Sequence, residues 1–351
     1  MTRGTLSDVT QQGRGGLGAP TLEAVAAAAG VSRATASRVL RGSSKVSDQA
    51  REAVLRAAEE LSYRPNRAAR SLVTGRSESI AFVVSESEER MFTEPFFLGM
   101  LRSAQETAAA ADYQLIVTVI STPEVRKRFV EYAAGGHVDG VLLLSVHGHD
   151  DLQERLEDAG VPTILSGRPP LGVDGLYYVD ADNVEGGRIA TDHLIATGHQ
   201  VIATVTGSLD MCAGQDRLAG YQKALADAGR EYDESLVIPG GFSTAEGYAC
   251  TERLLARRPD VDAIVMASDL AAIGAIRALQ RHGRRVPDVA VVGFDDIREA
   301  AEHHPALTTV RQPVSELGAT MTRILFERLD GTAPAQHGVK LPVELVRRES
   351  A

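Results

Sequence analysis

Arg33, Thr35, Ser37 and Arg38 fall within six residues of one another, in the stretch Ser32-Arg33-Ala34-Thr35-Ala36-Ser37-Arg38-Val39-Leu40. Wound as a helix, this stretch turns Ala36, Val39 and Leu40 to one side and leaves the two arginines and two hydroxyls on the other. Guanidinium groups pair bidentately with guanine, and hydroxyls donate to phosphate oxygens, so the polar side is suited to a DNA groove. Arg33 and Arg38 are the expected base readers. Thr21, Ser32, Thr35 and Ser37 are the expected phosphate anchors, and Ala34 offers a methyl to thymine.

Such a helix needs a platform. Leu22, Val25 and Ala29 share one face of a preceding helix, Gly30 can take the left-handed backbone of a tight turn, and Ser32 can cap the helix that follows. Small residues let two short helices cross closely, which is the helix-turn-helix pattern. A third helix from a cap at Ser47 to about Ser62 would close a small core with Val54, Leu55, Ala58 and Leu61. Tyr63 then packs against it or touches the DNA backbone.

The net charge of the 351-residue chain is −10, which taken alone argues against nucleic acid. Its distribution argues the other way. Residues 20–76 hold ten basic and five acidic side chains, and the tail before them is +1, leaving −16 on the remainder. A cationic module on an acidic body fits a protein that meets phosphates with one end. No apolar run reaches the roughly 18–20 residues of a membrane span, and no secretion signal opens the chain, so a cytoplasmic protein is expected. Cys212 and Cys250 are read as reduced, small, partly buried residues. Residues 1–19 read as a disordered tail; Gly13-Arg14-Gly15-Gly16-Leu17-Gly18 imitates a dinucleotide fingerprint without the strand that would have to precede it.

From Ser79 the pattern becomes short apolar strands separated by helices: Ile80–Val84, Gln114–Val119, Gly140–Leu144, Thr163–Leu165, Val201–Val205, Ala263–Met266 and Val289–Gly293. Continuous apolar strands of this kind imply parallel sheets covered on both faces. A second such unit begins near Val179-Asp180-Ala181-Asp182-Asn183. Ligands of open α/β sheets sit beyond the carboxyl ends of the strands, so Ser145 to Gly148, Ser268-Asp269 and Asp295 are candidates. His147-Gly148-His149-Asp150-Asp151 and His303-His304 lack the spacing of a zinc site, and His147 reads instead as a cleft-lining donor. No nucleophile elbow or phosphate loop is present, so neither catalysis nor a cofactor is expected. Val314 to Leu329 carries Leu317, Met321, Ile324 and Leu325 on one helical face, either plain core or a subunit contact.

Several stretches carry a more specific likeness. Gly30-Val31-Ser32, Ser37-Arg38-Val39-Leu40 and Tyr63-Arg64-Pro65-Asn66 resemble the headpiece of the LacI/GalR family of bacterial repressors. Pro95-Phe96-Phe97, Asp182-Asn183, Arg217-Leu218-Ala219-Gly220-Tyr221, Ala267-Ser268-Asp269, Val292-Gly293-Phe294-Asp295-Asp296 and Thr309-Val310-Arg311-Gln312-Pro313 extend it over about residues 20–350. The resemblance implies a helix-turn-helix headpiece (20–65), a hinge helix (66–76) and a two-lobed, periplasmic-binding-protein-like core (77–351). Within that core it implies one lobe of about 77–177 and 309–334, and another of about 178–308 and 335–351.

It further implies that Asn66, Ala69 and Leu72 belong to a hinge that enters the minor groove, with Leu72 wedged between base steps. Arg217 and Asp295 match positions that hydrogen-bond a sugar effector. An arginine and a carboxylate suit a neutral polyol, Phe96 and Phe97 can stack on its apolar face, and Ser268 replaces an asparagine of some relatives. Ala36 replaces a common valine and weakens one core contact slightly. The expected protein is a homodimer on a near-palindromic operator in double-stranded DNA, released by a mono- or oligosaccharide inducer. A purine or phosphosugar corepressor, or an exported solute-binding receptor, is the alternative.

Overall fold

A computed structural model describes residues 20–40, 45–63, 75–148, 150–170, 175–332, 334 and 336–351. The tail 1–19 and the hinge positions Asn66, Ala69 and Leu72 lie outside them. The chain divides into two compact units, Met1–Gly75 and Arg76–Ala351.

In the first unit, α1 (Leu22–Ala28), α2 (Arg33–Leu40) and α3 (Asp48–Glu60) surround a core of Val25, Ala26, Ala36, Val39, Val54, Ala57 and Ala58. Local signals start each helix. The Thr21 hydroxyl accepts from the amide of Ala24 (3.2 Å) and the Ser47 hydroxyl from that of Ala50 (3.4 Å). Gly30 turns the chain between α1 and α2 at φ +65°. Two expected core residues are corrected: Leu55 is 51% and Leu61 36% exposed, because Ala57 rather than Leu55 occupies the inward stripe of α3. Tyr63 packs against this core and its amide donates to the Ala58 carbonyl.

The second unit contains, in order, β1 (Ser79–Val84), α4 (Glu88–Thr93), α5 (Pro95–Ala110), β2 (Gln114–Val119), α6 (Pro123–Tyr132), β3 (Gly140–Leu144), α7 (Leu152–Asp158), β4 (Thr163–Ser166), β5 (Tyr177–Ala181), α8 (Asn183–Ala196), β6 (Ile202–Val205), α9 (Cys212–Asp227), β7 (Val237–Ile238) and α10 (Thr244–Arg257). There follow β8 (Ala263–Met266), α11 (Asp269–Arg281), β9 (Ala290–Asp295), α12 (Arg298–Glu302), β10 (Thr308–Arg311), α13 (Val314–Leu329), β11 (Gly338–Leu341) and β12 (Glu344–Val346).

These strands build two six-stranded sheets, β11-β5-β4-β3-β1-β2 and β12-β10-β9-β8-β6-β7, parallel throughout except for the antiparallel pair β10/β12. The run of apolar residues in each strand is explained by burial on both faces. In β1, Ile80, Phe82 and Val84 enter one core and Ala81 and Val83 the other. Leu317, Met321, Ile324 and Leu325 of α13 belong to the former core.

The sheets also fix the lobe boundaries, which differ from those expected. β5 and β11 complete the first sheet and β10 joins the second, so the chain crosses between lobes just after Ala181, Arg311 and Leu341. Strand sequences alone do not reveal which sheet edge receives them.

Candidate functional site

Two surfaces merit chemical attention, one in each unit. On α2, Arg33, Ala34 and Arg38 are exposed, and Thr35 and Ser37 are half-buried. The Ser32 hydroxyl accepts from the Thr35 amide (3.1 Å) and lies 2.9 Å from the Thr35 hydroxyl. A capping oxygen uses a lone pair and keeps its proton, so Thr21 retains a donor for an anion, while the Ser32–Thr35 hydroxyl pair spends one proton on its own hydrogen bond and keeps the other. Arg33 pairs with Glu23 at 2.6 Å, with side chains 70% and 60% exposed; so open a pair is readily exchanged for a stronger partner.

The second surface is a cavity between the two lobes of the core. Its walls bring together Phe96 and Phe97 from α5, Asp180 from β5, Arg217 from α9 and Asp295 from β9, with Ser268 capping α11. Arg217 is positioned by backbone proximity. A Cβ on Gly187 would come within 2.2 Å of the Arg217 carbonyl, and one on Gly220 within 2.1 Å of the Val184 carbonyl, so only glycine allows α8 and α9 to cross this closely. The Arg217 guanidinium lies 3.6 Å from the Phe294 ring centroid, donates through Nε to Asn183 Oδ1 at 2.9 Å, and donates through Nη1 to the Ala267 carbonyl.

Asp295 faces this buried cation and accepts from Gln312 Nε2 at 2.6 Å. Burial pushes its carboxyl up to about 6 against the opposing pull of Arg217. Asp180, also buried, accepts from Asn183 Nδ2 at 2.9 Å and is pushed up to about 6, again chiefly by burial. Both carboxylates therefore gain by accepting hydroxyl protons from a ligand that displaces water. Phe96 and Phe97 meet edge to face at 5.6 Å; Phe97 is 2% exposed, which leaves Phe96 the more open ring. Ser268 lines the cavity, but its proton is committed to the Phe242 carbonyl (2.5 Å) while its oxygen caps the amide of Ala271 (3.0 Å). Its neighbour Asp269 is wholly buried and fastens Thr309 and the Ile297 amide, a structural role.

The expected placement of His147 is corrected. It does not line this cavity but stands in an adjoining crevice, held by Glu86 (2.7 Å) and Asp210 (2.9 Å). The strand-end argument gives the right end of the sheet but not the side of β3 to which the side chain turns.

Other lining groups escaped the sequence reading. Arg168 follows β4, where the same argument would have found it, and pairs with Asp216 through two bonds of 2.8 and 2.7 Å. Arg90 binds Glu94 at 2.6 Å and also binds Glu86, and its guanidinium lies 5.4 Å from the Phe242 ring of the opposite lobe. Nothing local marks Phe242. Arg168 and Arg90 each already face a carboxylate and Arg217 faces Asp295, so among the described residues the lining charges are balanced, which favours a neutral ligand rich in hydroxyls.

Comparison with known proteins agrees with this division of labour. Residues 21–66 match the profile of bacterial regulatory proteins of the lacI family, and residues 191–351 that of the periplasmic binding protein-like domain. The HTH-type transcriptional regulator CelR of Thermobifida fusca is 48% identical over 334 residues, spanning 94% of this chain and 98% of that protein. The HTH-type transcriptional repressor PurR of Haemophilus influenzae is 33% identical over 337 residues, spanning 94% and 98%. Among solved structures, a CelR–cellobiose complex superposes with a TM-score of 0.76 at 46% identity, covering 95% of this chain and 100% of that one. The lac repressor dimer bound to operator and the anti-inducer ONPF superposes with a TM-score of 0.81 at 29% identity, covering 94% and 98%.

Proposed function

The chain belongs to the lacI family of bacterial regulatory proteins, and from that premise we propose that it is a cytoplasmic, homodimeric repressor released from its operator by cellobiose or a sugar of like size. The observation that carries the sugar assignment is the cavity's charge balance. Asp180 and Asp295, both raised in pKa by burial, line the cavity together with Phe96, while Arg168 and Arg90 are matched by the carboxylates of Asp216 and Glu94 and Arg217 faces Asp295. A phosphosugar would add negative charge beside two carboxylates, and a neutral polyol would satisfy them. A purine ligand is the second reading; the higher identity to CelR, solved as a cellobiose complex, favours the sugar.

On the DNA side, Arg33 and Arg38 read bases in the major groove of each half-site, with Ala34 against a thymine methyl. Thr21, Ser32, Thr35 and Ser37 hold phosphates and Tyr63 supports their platform. Asn66, Ala69 and Leu72 keep the minor-groove role implied by the family likeness.

The two functions have a covalent route between them. Gln312, which holds Asp295, stands at a lobe crossing and leads directly into α13. That helix, 16 residues and so roughly 24 Å long, ends where Arg76 binds the Leu329 carbonyl and the Asp330 carboxylate (2.9 Å). Arg76 is the first residue of the core after the headpiece unit. A ligand that draws Asp295 across the cavity thus pulls on the helix that anchors the chain leading to the DNA-binding module, a shift between two populations.

The test is selection of bound duplexes from random DNA, then titration of the selected operator complex with cellobiose and, separately, with purines. Release by cellobiose alone is expected. Release or tightening by a purine alone would replace the sugar reading, and failure to enrich any palindrome would defeat the repressor itself.

A further inference from the structure

We propose that Glu86, His147 and Asp210 form a proton-dependent latch between the lobes, with Glu86 the positioning residue that aims both His147 and Arg90 at the opposite lobe. The inference rests on the reading of the interlobe cavity as the effector site, and concerns a crevice beside it. Glu86 follows β1 and His147 follows β3, both in the first lobe; Asp210 lies between β6 and α9 in the second. His147 Nε2 is 2.7 Å from Glu86 Oε1 and Nδ1 is 2.9 Å from Asp210 Oδ2. A neutral imidazole carries one N–H, so it satisfies only one of these carboxylates and turns a lone pair toward the other. Both contacts are hydrogen bonds only when the ring is protonated.

The surroundings agree. Glu86 Oε1 also accepts from Ser145 Oγ (2.6 Å) and from Arg90, and Asp210 accepts from Ser208 (2.5 Å). The Asp150 carboxylate on the same crevice is taken up by Arg126 (2.7 Å). The Glu86 carboxylate beside it raises the His147 pKa above the ordinary 6.5, and Asp210 adds to that rise against a cost of burial. One backbone bond, Gly148 N–H to the Asp210 carbonyl (2.7 Å), spans the lobes at the same point.

The sign follows from which partner is lost. When the lobes part, His147 keeps Glu86 and loses Asp210, so its pKa is higher closed than open. Closure then takes up protons, and the latch's contribution is complete at low pH and lost as pH rises through the closed-state value. Asp180 and Asp295 are also pushed up, to about 6, so comparison with Asp210→Asn separates their titration from that of His147. Glu86 also binds Arg90, whose guanidinium lies over Phe242 of the other lobe, and Arg168 pairs with Asp216 across the same cavity.

The experiment is a histidine-selective NMR titration of the full chain, with His147→Asn to identify the resonance, followed by calorimetry with cellobiose at about pH 7 and about pH 9. His147 should titrate above the usual histidine value, and Asp210→Asn should lower it. Native affinity for cellobiose should fall by about two- to fivefold at the higher pH, the size of a partly exposed ion pair, and Asp210→Asn should be weak and flat. Glu86→Gln should lose affinity at both pH values because Arg90, left on Glu94 alone, and His147 both lose the carboxylate that aims them; unchanged affinity would overturn its positioning role. A His147 titration indifferent to Asp210→Asn, or equal pH slopes in the two proteins, overturns the latch. A titration that obeys Asp210 in a chain that takes up no cellobiose supports the latch and overturns the effector reading alone.

Discussion

Asp295→Asn should make the protein more stable and less responsive at the same time. In the native chain the Asp295 carboxyl sits at about 6 against an ordinary 3.8, even with Arg217 pulling the other way, so ionising it in place costs free energy. A displacement of about two pKa units corresponds to roughly 3 kcal/mol, and the open cleft side of the residue reduces this to about 1–3 kcal/mol. The folded pKa is raised, so the group's stabilising contribution is complete below the unfolded value and is lost as pH rises through about 6. An asparagine keeps an acceptor for Gln312 and never ionises. Thermal unfolding of the full chain should show the variant melting higher than the native protein at pH values above 6, by roughly 2–4 °C per kcal/mol, and converging with it in mild acid. Cellobiose binding should fall at least about tenfold, since an ionised acceptor is replaced by a neutral one at a hydroxyl contact worth roughly 1.5–3 kcal/mol. Unfolding temperatures that coincide across this range would refute the claim that Asp295 is held ionised at a cost to the fold, and undiminished sugar binding would remove it from the site.

Three further outcomes are expected. Arg38→Ala should cost about 1–3 kcal/mol on the operator and relax base choice at one position per half-site; a uniform loss on all duplexes, read by competition binding, would reduce Arg38 to a phosphate contact. Gly187→Ala should cost several kcal/mol of stability and abolish effector binding, because its Cβ would lie 2.2 Å from the Arg217 carbonyl; a normally folded, sugar-binding variant would show that α8 and α9 can separate at little cost. Arg76→Ala should bind both operator and cellobiose yet release DNA poorly on sugar addition, and full release would dismiss α13 as the connecting element.

How far the sequence could be read depends on the range of the contacts involved. The headpiece was legible because its determinants are local: Thr21 caps Ala24 and Ser32 caps Thr35, each three residues away, and Gly30 supplies the left-handed turn between them. Arg217 and Asp295 were expected in the cleft through family likeness, and Asp295 also through its place at a strand end, and both line the cavity between the lobes. The remainder depends on which lobe faces which. Arg90 meets Phe242 and His147 meets Asp210 only because two sheets with separate cores are set across a cavity, and no periodicity within either lobe encodes that meeting. The misplaced lobe boundaries have the same origin, since β5, β10 and β11 read alike as strands and differ only in the edge they join.

That the lobes meet through such contacts bears on how a sugar could switch the protein. Arg90 over Phe242 is a cation–π contact, His147 with Asp210 is an ion pair whose side chains are 31% and 51% exposed, and Arg168 with Asp216 is a two-bond ion pair at the rim of the same cavity. Contacts of these kinds contribute about 1 kcal/mol each. An interface of buried aliphatic side chains would hold the lobes together too firmly for a disaccharide to matter, because a ligand shifts an equilibrium only by its differential affinity for the two states. With modest polar contacts across the cavity, open and closed forms remain within a few kcal/mol. Burial raises the pKa of both Asp180 and Asp295, so on the proposed function sugar hydroxyls donating to these two carboxylates would supply a difference of the required size. The same burial that taxes the fold is therefore the source of the response, and stabilising either residue by amidation should trade sensing for stability.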